Sequence, residues 1–243
     1  MCGERRFPHG YEPQSADVRI GRVCSFQHER NGYRMIDESN RRPIAARDAG
    51  WARRAAAALA RSAVTPNQIS ALSVVFAATG AGLVLGWHSP ARLVAAALCI
   101  QLRLLCNLLD GMVAMEGGKA SPVGKLYNEF PDRIADSLLI VAAGYACGRP
   151  WLGWLGALLA ALTAYVRVFG GSLGFAQDFR GPFAKQQRMA VLTAACLLGA
   201  LETYWHDQRW ALLAASVVIA AGSLLTCITR THAIAARLRS EQR

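Results

Sequence analysis

From Asn67 to Thr229 the sequence passes through one apolar stretch after another, several of them near the ~20 residues an α-helix needs to cross a bilayer. Charge crowds into residues 1–62 and 228–243 and is sparse between. The bulk figures, 53% hydrophobic residues and a formal charge of +11, would suit a soluble domain equally well. It is the distribution that predicts an integral membrane protein. The apolar runs predict six membrane helices, at roughly 67–87, 93–115, 124–147, 151–173, 187–204 and 209–229. The expected fold is therefore an all-α six-helix bundle over residues 64–230, followed by a basic tail at 231–243.

The flanks set the expected orientation. Arg41, Arg42, Arg47, Arg53, Arg54 and Arg61 precede the first span, and Arg230, Arg237, Arg239 and Arg243 follow the last. Arg180, Lys185 and Arg188 lie between the fourth and fifth spans. By the positive-inside rule both termini are cytoplasmic, in the inner or plasma membrane. The partner for this charge is anionic lipid, not nucleic acid, because the basic residues flank membrane spans. Residues 1–48 are polar and basic without periodicity and are expected to be disordered; Met35 is an alternative start, and no apolar signal-peptide core is present. Residues 49–63 read as an amphipathic interfacial helix with Trp51, Ala55, Ala58, Leu59 and Ser62 on one face. Thr65-Pro66-Asn67-Gln68 reads as a helix start, with Thr65 or Asn67 as the cap. Cys2, Cys24, Cys99, Cys106, Cys147, Cys196 and Cys227 show no paired spacing and read as packing residues. Trp87, Trp151, Trp154, Trp205 and Trp210 sit where an aromatic belt is expected, and His88, His206 and His232 lie at span ends.

Against that apolar background, polar residues recur at helical spacing. The second span carries Asn107, Asp110, Gly111 and Ala114 on one stripe, followed by Met115 and Glu116. The third carries Gly124, Asn128, Glu129, Asp132 and Asp136, with Pro131 as a candidate kink. Carboxylates in hydrocarbon are costly unless paired, metal-bound or facing water, so two such stripes on neighbouring helices predict a functional cavity between them. The bland alternative is pairing with Arg103 or Arg133 as helix glue. A second group, Arg167 on the fourth span with Lys185 and Arg188 ahead of the fifth, predicts a pocket for phosphate or another anion. Plain positive-inside charge is the alternative for Arg180 and Lys185. No phosphate-binding P-loop, dinucleotide fingerprint or nucleophile elbow is present.

The spacing Asn107-x2-Asp110-Gly111-x2-Ala114-Met115-x8-Gly124-x3-Asn128-x3-Asp132 resembles the D-x2-D-G-x2-A-R-x8-G-x3-D-x3-D signature of the CDP-alcohol phosphatidyltransferase family. Asp110, Gly111, Ala114, Gly124 and Asp132 match; Asn107, Asn128 and Met115 depart. A gapped alternative makes Asp132 and Asp136 the last two acids. The resemblance implies a transferase that moves a phosphatidyl group from a CDP-linked lipid, such as CDP-diacylglycerol, to a hydroxyl acceptor and releases CMP. It implies Mg²⁺ or Mn²⁺, as two ions held by Asp110, Asp132, Asn107 and Asn128, with Glu129 and Asp136 expected to make up the lost charge. Asp132 would be the general base. Gly111 and Ala114 would let the nucleotide approach the backbone, and Gly124 would allow close helix packing. Arg167, Lys185 and Arg188 would hold a phosphorylated acceptor. The resemblance further implies a cavity open to the cytoplasm and frequent homodimers. The competing class is a non-catalytic membrane protein that binds a lipid or nucleotide in a degenerate form of the same cavity.

Overall fold

The structure is a computed structural model that describes residues 49–241, except 87–88, 120, 122, 177 and 206–208. The expected disorder of 1–48, the start at Met35, and Cys2, Cys24, Trp87, His88 and His206 lie outside the described residues. Seven α-helices follow in order: α1 Gly50–Arg61, α2 Pro66–Leu85, α3 Pro90–Glu116, α4 Gly124–Ala146, α5 Pro150–Ser172, α6 Lys185–Glu202 and α7 Trp210–Glu241. No strand occurs among the described residues.

Four of the helices expected to span, α2, α3, α5 and α7, are long and apolar enough to cross a membrane. The other two expected spans form as helices α4 and α6 but fall short of that standard. The reason is chemical: α4 carries Glu129, Asp132, Arg133 and Asp136, and the 18-residue α6 starts on Lys185 and Arg188. Helix α7 also runs through the boundary expected at 230, so the basic tail continues a helix instead of starting a separate segment.

Local chemistry sets the helix starts. Pro66 and Pro90 stand in the first turns of α2 and α3, where a missing N–H costs nothing. Thr65, not Asn67, caps α2: its Oγ1 accepts from Gln68 N, and Gln68 Oε1 accepts from Thr65 N, a reciprocal capping box. Helix α4 continues through Pro131. Helix α1 forms where expected; it buries Ala52 and Ala56 against the protein and leaves Trp51 and Ala58 exposed. Ala52 and Ala56 pack on Cys106, Leu109, Met112 and Val113 of α3. Lys119 donates to the carbonyls of Ser62 and Val64 just beyond the end of α1, which ties the α1 end to the connection after α3.

The main core draws on α2 to α7, with Ile100, Leu139, Ile140, Met189, Leu192 and Ile219 each no more than 1% exposed. Lipid removes most of the hydrophobic drive for one apolar helix to leave its solvent for another, so close van der Waals approach matters most. The α4–α5 contact shows this. A Cβ on Gly144 would lie 2.5 Å from Gly153 Cα, and one on Gly153 would lie 2.9 Å from Val141 O. Gly148, with φ of +69°, makes the turn that brings the two helices together. Gly124 was expected to play this packing role and does not: among the described residues a Cβ there would meet only Ser121 Oγ. Of the cysteines, Cys99, Cys106, Cys147, Cys196 and Cys227 are free thiols, as packing residues should be.

The order of helices fixes where a site can form. The C-terminal part of α3, the start of α4, the end of α5, the start of α6 and the C-terminal part of α7 share one end of the bundle, together with α1. The exposed Trp151, Trp154, Trp205 and Trp210 sit toward the other end. Overpacking a tight helix contact costs about 1–3 kcal/mol and often more when backbone is in the way. Gly153→Val is therefore expected to lower the unfolding midpoint in micelles measurably. Gly111→Ala should leave it unchanged, since a Cβ on Gly111 meets nothing within 4 Å.

Candidate functional site

Helices α3 and α4 have few close backbone approaches, and so have α4 and α6. Charged side chains bridge those gaps. Arg103, on α3 one turn before Asn107, is fully buried. Its Nη2 lies 2.6 Å from Asp136 Oδ1 and 3.3 Å from Asp132 Oδ1. Asn107 Nδ2 donates to the same Asp132 Oδ1 at 2.5 Å. From α6, Lys185 donates to Asp132 Oδ2, and Arg188 donates to Asp136 Oδ2 at 3.2 Å. Arg188 also reaches Phe183 O at 3.0 Å. Asp132 and Asp136 thus form the middle of a buried network joining three helices.

Beside this network lies a cavity of about 530 Å³. Asn107, Asn128, Glu129, Asp132, Arg133, Arg167, Lys185, Arg188 and Arg230 line it, with Trp51 from α1 and Phe179 from the α5–α6 loop. Arg167 Nη2 lies 2.8 Å from both Glu129 oxygens, and its guanidinium sits 5.4 Å from the Phe179 ring centre. Arg230 anchors the wall by donating to Thr163 O and Arg180 O. Five cationic side chains therefore face the cavity against two carboxylates, so its field favours an anion.

Two sequence expectations change here. Asp136 does not line the cavity; Arg103 and Arg188 clamp it. Glu129 lines the cavity but is paired with Arg167. Gly111, Ala114 and Gly124 lie on the same two helices beside the cavity wall and not in it. Glu129 and Asp136 therefore do not rebuild a four-acid cage: among the described residues no three His, Cys, Asp or Glu side chains gather as a metal site. The physical reason is that nearby guanidinium groups on α3, α5 and α6 take those acids first.

A smaller donor set does fit a divalent cation. Asp110 is 3% exposed; its Oδ2 accepts from Ser70 Oγ at 2.5 Å, and its buried Oδ1 has no hydrogen-bond partner. Asn107 lies one turn earlier on the same stripe. With its amide nitrogen on Asp132, its carbonyl oxygen remains as a donor to a metal. Mg²⁺ sites commonly use only one or two carboxylates and complete their shell with water and substrate phosphate.

Arg103 matters more here than helix pairing alone suggested, Arg230 is more than flanking charge, and Ser70 and Phe179 join the site without having stood out in the sequence. For Arg103 the signal existed, an arginine inside an apolar run four residues before Asn107. For Ser70 no local signal existed, because its partner Asp110 lies 40 residues away in α3, and Phe179 meets Arg167 only through the course of the α5–α6 loop.

The loop that closes the site carries its own lock. Asp178 is 7% exposed and accepts from Arg180 N at 2.9 Å and from its guanidinium at 2.8–3.1 Å. Arg237 of α7 stands 3.8 Å away. The Arg180 guanidinium holds the Asp178 carboxyl below the usual carboxylate range.

The fold and this cavity define a multi-pass helical membrane protein with a cation-rich polar site between its helices. The sequence pattern of CDP-alcohol phosphatidyltransferases matches residues 63–233, and the chain belongs to that family. It is 32% identical over 183 residues to an archaetidylinositol phosphate synthase of Aeropyrum pernix, covering 74% of this chain and 88% of that protein. It is 34% identical over 143 residues to a bifunctional IPC transferase and DIPP synthase of Rubrobacter xylanophilus, covering 56% of this chain and 32% of that one. The fold is similar to that of Mycobacterium tuberculosis phosphatidylinositol phosphate synthase with CDP-DAG bound, at a TM-score of 0.64 and 19% identity over 76% of this chain and 94% of that one. The same enzyme in complex with manganese and citrate gives a TM-score of 0.63 and 19% identity, over 75% and 88% of the two chains.

Removing one partner of a buried ion pair costs about 3–5 kcal/mol because the other charge is stranded. Arg103→Met is expected to lose stability on that scale in micelles, and adding Asp136→Asn should recover part of it. For Asp178 the folded pKa is depressed, so its contribution is present above the unfolded carboxyl value of about 3.9 and is lost as pH falls through the folded one. Amide protection across 173–184, taken relative to intrinsic exchange at each pH, should stay level near neutral pH and fall under acid; Asp178→Asn should remove that fall.

Proposed function

We propose that the protein transfers a phosphatidyl or related phosphoalkyl group from a CDP-linked lipid, such as CDP-diacylglycerol, to the hydroxyl of a phosphorylated alcohol, with release of CMP. The observation that carries this reading is the cavity's excess of cations beside the two motif helices. A pyrophosphate and an acceptor phosphate together would supply the negative charge that balances five cationic side chains against two carboxylates on the cavity wall. Membership of the CDP-alcohol phosphatidyltransferase family points the same way.

In this reading the acceptor oxygen attacks the lipid-side phosphorus of the donor. The bond from that phosphorus to the bridging oxygen breaks, and CMP leaves with the electron pair. Asp132 takes the acceptor proton, since it lies on the cavity wall between the motif stripe and Lys185. Asp110, Asn107 and Asp132 would hold a divalent cation, which supplies charge neutralisation on the pyrophosphate when bound. Arg167 and Arg188 orient the acceptor phosphate; the Phe179 ring beside Arg167 fixes the plane of its guanidinium. Gly111, with open space where a Cβ would stand, leaves room for the nucleotide along α3. Ala114 continues that surface, and Asn128 at the cavity rim completes the polar wall.

Six of the helices, α2 to α7, cross the membrane in this reading. The charged flanks of α4 and α6 sit at the cytoplasmic face, where the cavity opens and both termini lie. α1 lies along that face over anionic lipid. The wall that Trp51 shares with Leu104, Leu105 and Leu108 suits the donor's acyl chains. The protein assembles as a homodimer, as family members often do.

The test is CMP release from CDP-diacylglycerol by purified protein in lipid, with Mg²⁺ or Mn²⁺ and a pool of phosphorylated and plain alcohols. Asp132→Asn is expected to cut turnover by about 10²–10⁴-fold. Arg167→Ala should raise the acceptor KM many-fold while donor binding is kept. A folded protein that binds CDP-diacylglycerol but releases no CMP under any of these conditions would instead be a lipid-binding member of the family.

A further inference from the structure

We propose that this site holds a single divalent cation, and that the Lys185 ammonium neutralises the pyrophosphate where a second cation would otherwise be needed. The inference rests on the transferase reading and narrows it. Four observations carry it. First, two positions on the facing stripes carry amides, Asn107 and Asn128, which keep a donor oxygen but bring no charge. Second, Lys185 reaches across from α6 to Asp132 Oδ2, and Asp132 Oδ1 is shared by Arg103 and Asn107. Third, Glu129 and Asp136 are bound to Arg167, Arg103 and Arg188 and are not available as replacements. Fourth, Asp110 is almost fully buried and keeps Oδ1 without a hydrogen-bond partner, on the same stripe as Asn107.

The charges decide between one ion and two. A dication close to Asp110 is attracted by that carboxylate and by Asp132. A second dication would have to sit where Lys185 now contacts Asp132, against an ammonium and the Arg103 guanidinium, with an amide at 128 in place of an acid. Like charges at that range in a partly buried site repel strongly. An ammonium, by contrast, is a compact point charge on a flexible stem and can hold a phosphate oxygen without any protein ligand of its own.

The contact also gives Lys185 a second effect. With no donor bound, it engages the carboxylate oxygen that must accept the acceptor's proton. When a pyrophosphate enters, the ammonium exchanges Asp132 Oδ2 for a phosphate oxygen and leaves Asp132 free to act as base. Donor binding and base activation then share one movement of one side chain.

The experiment counts ions. The full chain, in nanodiscs and saturated with CDP-diacylglycerol, is titrated with Mn²⁺, and free Mn²⁺ is read by electron paramagnetic resonance. One Mn²⁺ per chain is expected, lost in Asp110→Asn. Lys185→Met is expected to weaken CDP-diacylglycerol binding at least tenfold, measured directly by equilibrium binding. Lys185→Met combined with Asn128→Asp should take up a second ion. Two Mn²⁺ per unmodified chain, no Mn²⁺ in protein that binds the donor, or unchanged donor affinity in Lys185→Met would each overturn the assignment. Two ions with normal CMP release would overturn it and leave the transferase reading standing. Failure to bind CDP-diacylglycerol at all would remove the transferase reading instead.

Discussion

The guanidinium of Arg103 is the constraint on which the rest of the site depends. Helices α3 and α4 scarcely meet through their backbones, yet the cavity needs both stripes at a fixed distance. Arg103 spans that gap by holding Asp132 and Asp136 at once. Arg188 and Lys185 then attach α6 to the same two carboxylates. A charge this deeply buried is tolerated only with opposite charge around it. The arrangement therefore behaves as a unit: each carboxylate is held by cations from two or more helices, and each helix is positioned by a charge it cannot withdraw. Arg103 Nε and Nη1 and Arg188 Nε have no hydrogen-bond partner, so the network is not fully satisfied by the protein alone.

This arrangement divides the acids by task. Asp136 is structural, enclosed between two guanidinium groups. Glu129 sets the pose of Arg167. Asp132 faces both ways, with one oxygen in the network and the other toward the cavity through Lys185. Asp110 stands apart on Ser70. Two facing stripes of acids and amides thus become several distinct environments. The differences come from what each neighbouring helix presents, not from the residues' own chemistry.

Much of the fold was legible in the sequence because its signals are local. The Thr65–Gln68 capping box and the first-turn prolines mark helix starts within a few residues, and apolar run length marks α2, α3, α5 and α7. The motif spacing was enough to place Asn107 and Asp132 on facing stripes. The apolar face read for α1 keeps Trp51 and Ala58 exposed, as a helix lying in the lipid interface would, while its contact with α3 falls on Ala52 and Ala56. Its alanines fit against α3 by size, which a polarity pattern does not encode. The packing role given to Gly124 belongs to Gly144 and Gly153, whose spacing has meaning only once α4 and α5 turn back on each other.

By itself, the sequence determined the helical membrane class, most helix limits, the polar stripes and the basic group at Arg167, Lys185 and Arg188. Hydrophobic run length and helical periodicity are properties of consecutive residues. Only the tertiary structure decided which acid meets which cation. Ion pairing in a low-dielectric interior depends on distances between helices 25–53 residues apart along the chain, and no local pattern contains those distances.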